Sequence, residues 1–209
     1  MKRKVLFLAL GTLVVLSGCA SPAVAPVSVD STTSTASAVA TEKKSPTPTP
    51  TPTKKIAQIG DAAVHGGIQI TVTSAVSSPA VSMNTSNYRA GSGYETYEDV
   101  PAQSGGRFIV VNAVVVNNAK APIDLTCGYP IDIKVFNGSA QVYSPIQDTY
   151  KIKGNPECNA QLQPGFESTM TWAYLVPAKS SIIGLAFSEV DFTSPSRNDP
   201  TIIGFGSGL

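Results

Sequence analysis

The stretch from Phe108 to Val116 reads Phe-Ile-Val-Val-Asn-Ala-Val-Val-Val, and no other feature restricts the fold of this chain as much. A strand turns successive side chains to opposite faces, so a run that is apolar at nearly every position must be covered on both sides. Its β-branched residues favour a pleated surface over a helix. The run therefore predicts the central strand of a sandwich. Elsewhere the pattern alternates. Ile68, Ile70, Val72 and Val76 are separated by Gln69, Thr71 and Thr73, a strand with one buried face interrupted at Ser74. Ile131, Ile133 and Val135 alternate with Asp132 and Lys134, after which Asn137-Gly138 offers the positive φ angles of a tight hairpin turn before Gln141 to Tyr143. Met170, Trp172, Tyr174 and Val176 share one side of a strand from Thr169 to Val176; Ile182 to Phe187 follows, and Ile202, Ile203 and Phe205 suit an added edge strand. No segment shows a sustained helical stripe. The expected class is all-β, a sandwich rather than a closed barrel.

The chain ahead of this domain is of a different kind. Lys2, Arg3 and Lys4 precede an apolar run from Val5 to Leu16, which is short for a transmembrane helix and reads as a secretion signal. Leu16-Ser17-Gly18-Cys19 resembles the bacterial lipobox, at which the signal is cut before a cysteine alkylated by a diacylglycerol. The resemblance implies that residues 1–18 are removed. It also implies that Cys19 is the lipidation site, carrying palmitate-like acyl chains on the extracytoplasmic face of the cell membrane. At about 0.8 kcal/mol per buried methylene, two or more chains anchor stably. Residues 19–55 comprise this cysteine and a Ser/Thr/Pro-rich linker, with Pro46-Thr47-Pro48-Thr49-Pro50-Thr51-Pro52-Thr53 at its heart. Alternate prolines remove donors and fix φ, so this part is an extended spacer. At about 3.1 Å per residue it lifts the domain up to about 110 Å from its anchor.

Residues 56–209 suit one domain with one core. The chain has 15 basic and 14 acidic residues, but from Ile56 onward 8 basic residues face 12 acidic ones. Such a balance offers no electrostatic footprint for nucleic acid.

The order of features is also recognisable. Gly60-Asp61 leads into the strand from Ile68 to Val76, then come Gly106-Arg107-Phe108-Ile109-Val110-Val111, Asn117-Asn118, Leu162-Gln163-Pro164-Gly165 and Tyr174-Leu175-Val176-Pro177. This resembles a family of uncharacterised bacterial extracytoplasmic domains with a telokin-like, immunoglobulin-like sandwich, often lipoproteins with a similar linker. The resemblance runs from Gln58 to Phe187 and implies an immunoglobulin-like β-sandwich. Its motifs are strand starts, turns and strand ends, and it implies no activity.

Chemistry is sparse. Cys127 and Cys158 are the cysteines left after Cys19, and an even pair in an exported domain reads first as a disulfide. A metal site is the alternative, but the single histidine, His65, stands beside Gly66-Gly67 in a turn and makes a poor zinc signature with two thiols. No metal and no cofactor are expected. Walker A, Rossmann and His-Glu-x-x-His patterns are missing, and Ser92 lacks the full nucleophile elbow. The clustered Glu95, Glu98 and Asp99 are the one candidate acid–base group. The segment from Ser77 to Gly106, at roughly thirty residues, is longer than an ordinary loop. It sets Tyr88, Tyr94 and Tyr97 among Asn, Ser and Gly, the mixture found in binding loops. Trp172 sits at core spacing. The expected function is a non-catalytic, lipid-anchored binding or adaptor domain that engages an envelope protein or wall polymer. A hydrolase using acidic residues near that loop is the alternative.

Overall fold

The computed structural model describes residues 56–128, 130–190 and 199–209, which belong to a unit running from Thr51 to Leu209. The expected signal peptide, Cys19 and the linker lie outside the described residues. Two sheets face each other. The first contains β2 (Ala62–His65), β3 (Ile68–Ser78), β6 (Gly106–Asn117) and β11 (Glu167–Pro177), in the order β11-β6-β3-β2. The second contains β1 (Ala57–Gln58), β8 (Ile131–Asn137), β9 (Val142–Tyr143), β12 (Ile182–Glu189) and β13 (Thr201–Gly204), in the order β1-β13-β12-β8-β9. All pairings within them are antiparallel except that of β1 with β13. Ribbons β4 (Ala80–Asn84) with β5 (Tyr97–Pro101), and β7 (Ile123–Asp124) with β10 (Gln161–Leu162), complete the strands. The protein is an all-β, immunoglobulin-like sandwich.

The core is the meeting of two inner faces. Ile68, Ile70, Val111, Val115, Met170 and Tyr174 from the first sheet pack with Ile133, Val135, Leu185, Phe187 and Ile203 from the second. Trp172 is 3% exposed within it, as its spacing implied. Burying each such side chain is worth about 1.5–3 kcal/mol. β13 lies between β12 and β1 rather than at the rim, which is why Ile203 is fully buried.

The two-sided apolarity of β6 has a specific cause. Ile109, Val111, Ala113 and Val115 enter the core between the sheets. Phe108 and Val110 look the other way, into a smaller cluster with Val81, Ala173 and Ile152. The outer face of the first sheet is thus roofed at one end by the β4–β5 ribbon and the segment around Ile152.

That segment also closes a sheet edge. β11 is the outermost strand, and an open edge invites pairing with other chains. The Asn155 side chain acts as a substitute strand, donating from Nδ2 to Thr171 O (2.8 Å) and accepting Thr171 N–H at Oδ1 (2.7 Å). Ile146 N–H adds a bond to Ala173 O.

One strand and one turn depart from the sequence expectation. In β3 the pairing runs from Val72↔Ala113 to Ser74↔Asn112, leaving Thr73 as an extra residue. A bulge inverts the phase of a strand. Ala75 therefore points inward, while Val76, expected in the buried set, is 48% exposed. After β8, Asn137-Gly138 does not form a two-residue turn. Ala140 takes the positive φ (59°) instead, in a longer connection, and Asn137 Oδ1 accepts the N–H groups of Ser139 and Gln141. The side chain, not the backbone freedom of Gly138, shapes the turn.

The short family-like motifs also have structural tasks. Asn117 is fully buried and its amide donates to Ala121 O and Leu162 O, while its carbonyl oxygen Oδ1 accepts Ala119 N–H. Its backbone pairs with Gly165 and Phe166, so Asn117 fixes the Pro164-Gly165 turn to the end of β6. His65 ends β2, where its Nδ1 accepts Glu189 N–H (2.9 Å) and the Glu189 carboxylate accepts Gly67 N–H (2.7 Å). The single histidine thus joins the two sheets at one corner.

Candidate functional site

The long segment after β3 is more ordered than its composition implied. Residues 80–84 and 97–101 pair as the β4–β5 ribbon, which packs over β6, and residues 85–96 form the irregular tip. Asn84 closes the base. Its Oδ1 accepts the N–H and hydroxyl of Ser86, and its Nδ2 donates to Tyr88 O (2.7 Å). The Ser86 hydroxyl oxygen accepts from Tyr88 N–H and Thr96 N–H.

At the far end, Glu95 gathers the chain around its carboxylate. It accepts Gly91 N–H (2.9 Å), Gly93 N–H (2.7 Å) and the Ser92 hydroxyl (3.1 Å). Gly91 and Gly93 have φ of 75° and 82°, a region costly for other residues, and this turns their N–H groups toward one acceptor. Backbone hydrogen bonds, first its own and then that of Gly91, hold the Glu95 carboxyl below its ordinary pKa against a smaller opposing effect of burial.

A second carboxylate reaches the tip from a distant part of the chain. Glu157 Oε1 accepts Ala90 N–H at 2.7 Å, and Oε2 lies 3.5 Å from Arg89 Nε. With its base, tip and flank fixed, the loop presents Tyr88 and Tyr94 side by side, ring centroids 5.6 Å apart and tilted by 42°. They are 58% and 73% exposed. Beside Tyr88 a polar cleft of about 290 Å³ is lined by Asn84, Asn87, Arg89, Tyr150, Lys151 and Glu157. Tyr97 does not join the pair. It lies half-buried on β5, with Lys153 Nζ 5.6 Å from its ring centroid, so of the three tyrosines only two form an exposed surface.

The cysteines define a second cluster. Cys127 and Cys158 are joined, with 5.3 Å between Cα atoms. Sequence reasoning missed the group beside them, Asp124, which is 7% exposed. Its Oδ1 accepts Thr126 N–H (2.9 Å), Thr126 hydroxyl (3.1 Å) and Cys127 N–H (3.0 Å), and Oδ2 accepts Asn159 N–H (2.9 Å). Burial pushes its pKa up, but these hydrogen bonds together outweigh it and leave the pKa below the ordinary value. A carboxylate two residues before a threonine, next to a cysteine, was the available signal. The ligand atoms of Asp124, Cys127 and Cys158 lie within 4.8 Å of one another, the one such grouping among the described residues. With both sulfurs bonded together and both carboxylate oxygens accepting N–H groups, the cluster serves to staple two loops.

The acid–base candidates do not converge. Glu95 is occupied by the loop, and Glu98 and Asp99 are adjacent residues of β5 that point to opposite faces.

No protein-family model matches the chain, and no curated protein matches it. Solved structures do resemble it. An uncharacterized beta-sandwich protein from Clostridium difficile 630 is 17% identical, with 75% of this chain and 97% of that one covered and a TM-score of 0.46. The secreted protein MPT63 of Mycobacterium tuberculosis is 9% identical, with coverage of 74% and 98% and a TM-score of 0.41. A candidate lipoprotein from Bacillus subtilis is 11% identical, with a TM-score of 0.41; the match covers 71% of this chain but 38% of that one.

Proposed function

We propose that this chain is a lipid-anchored, non-catalytic binding or adaptor domain of the telokin-like, immunoglobulin-fold kind, working on the outer face of the cell membrane. The tip bearing Tyr88 and Tyr94 is its contact surface. One observation carries the reading: two large aromatic side chains remain exposed on a loop whose backbone is tied down at base, end and flank. A solvated insertion has no need of such ties. A contact surface gains from them, because ordering costs of about 0.5–1.5 kcal/mol per immobilised side chain need not be met on binding. The lipobox-like Leu16-Ser17-Gly18-Cys19 and the Thr/Pro spacer support the location. Against a hydrolase stand the occupied carboxylate of Glu95 and the divergent Glu98 and Asp99.

The test is the full-length chain with Tyr88→Ala and Tyr94→Ala together. Envelope components that co-purify with the wild type after mild detergent extraction should be lost, while the melting temperature stays put. Retained co-purification at full strength would remove the tip as the contact surface. Loss that tracks unfolding would show the two rings to be packing residues.

A further inference from the structure

The charges around Tyr88 and Tyr94 say what kind of partner the tip admits. Its nearby cations among the described residues are Arg89, Lys151 and Lys153. Arg89 Nε lies 3.5 Å from Glu157, and Lys151 Nζ lies 2.8 Å from Asp148, so two of the three already face a carboxylate. The third, Lys153, sits over the Tyr97 ring. Glu95 in the loop and the exposed Glu98 and Asp99 on β5 then add negative charge that no cation among the described residues pairs with. The Tyr97 hydroxyl has a raised pKa, first through burial and then through the negative charges of Glu95 and Glu157.

A polyanion or an anionic lipid surface approaching this region would find the cations engaged and the remaining charges repulsive. The domain gives no long-range attraction to offset that, since from Ile56 onward it has 8 basic and 12 acidic residues. What the surface does offer is an exposed aromatic centre, small adaptable polar groups at Asn87 and Ser92, and a rim of both signs with negative excess. That is the make-up of a protein–protein contact, in which aromatic anchors supply the energy and rim charges select the partner.

Resting on the reading of this tip as the contact surface, we propose that its partner is a protein segment of basic charge, and not an anionic wall polymer or lipid headgroup.

The experiment uses the full-length chain in the cells that produce it, with Tyr94 replaced by the photoreactive amino acid benzoylphenylalanine. The same probe at Val142, 61% exposed on β9, gives the background. Irradiation should yield a discrete adduct at position 94 that a protease digests and that glycan- and phosphodiester-cleaving enzymes leave intact. Glu98→Lys with Asp99→Lys should then lower its yield about tenfold, because steering toward a basic partner is lost. An adduct whose added mass is removed by the glycan- or phosphodiester-cleaving enzymes overturns the proposed partner class and leaves the tip as a contact surface. So does a lipid adduct, or a protein adduct whose yield rises or stays constant on charge reversal. Labelling at position 94 no stronger than at Val142 removes the contact surface itself, and both readings fall together.

Discussion

Two corners of this molecule use the same device to different ends. At one, Asp124 collects the N–H groups of Thr126, Cys127 and Asn159; at the other, Glu95 collects those of Gly91 and Gly93. Each carboxylate fixes a tight loop by accepting several backbone donors, and in each its pKa is lowered. The surroundings separate them. Asp124 is buried beside a disulfide, so losing it would strand the buried N–H and hydroxyl of Thr126 and loosen the part-buried bonds to Cys127 and Asn159. Glu95 lies at the surface, where water can replace it, so its loss should change the loop's shape and leave the fold alone. A buried carboxylate of this kind holds a domain together, and an exposed one shapes a surface for something outside.

Asp124→Ala should be the most damaging change, costing about 4 kcal/mol, because each buried donor left without a partner costs about 1–3 kcal/mol. Urea unfolding measures this, and a loss below about 1 kcal/mol would contradict the assigned role. The same group sets a pH dependence. Its pKa is lowered on folding, so its contribution is present above the ordinary carboxylate range and is lost as pH falls through the folded value. Wild-type stability should therefore decline below about pH 4, and the Asp124→Ala protein should show a shallower decline.

Next in size is the disulfide. Replacing Cys127 and Cys158 together by Ala should cost about 3–4 kcal/mol for a bond spanning 31 residues, measured by the same unfolding. Because Asp124 and Asn155 hold the same loops, the fold should survive. At the other corner the effects should be small. Tyr88→Ala with Tyr94→Ala should move stability by no more than about 0.5 kcal/mol, as exposed positions do. A loss of several kcal/mol in calorimetry would show that the rings pack on the sandwich.

Much of the sandwich was legible because a half-buried strand writes its burial in alternate residues. β11 shows this best, with Met170, Trp172, Tyr174 and Val176 all at most 3% exposed. Val76 was misread because a bulge adds a residue without leaving a mark in hydrophobicity; Thr73 looks like any outward-facing threonine. The tyrosine-bearing segment stood out through its composition, but its order did not. The contact that ties its flank joins Ala90 to Glu157, 67 residues apart in the chain and meeting through a side chain rather than a ladder. Periodicity has nothing to say about such pairs. Tyr97 shows the converse error, since its composition matched that of Tyr88 and Tyr94 while the strand phase of β5 set it apart.

On the function proposed above, the tip is a preformed surface shaped by an exposed carboxylate and energetically separate from the fold. Amide hydrogen exchange at Gly91 and Gly93, in the wild type and in Glu95→Gln, measures this. Both amides should exchange slowly in the wild type and quickly in the variant, with the melting temperature and the protection of core amides such as Val111 and Tyr174 unchanged. Unprotected exchange of Gly91 and Gly93 in the wild type, or a fall in core protection in the variant, would contradict the account.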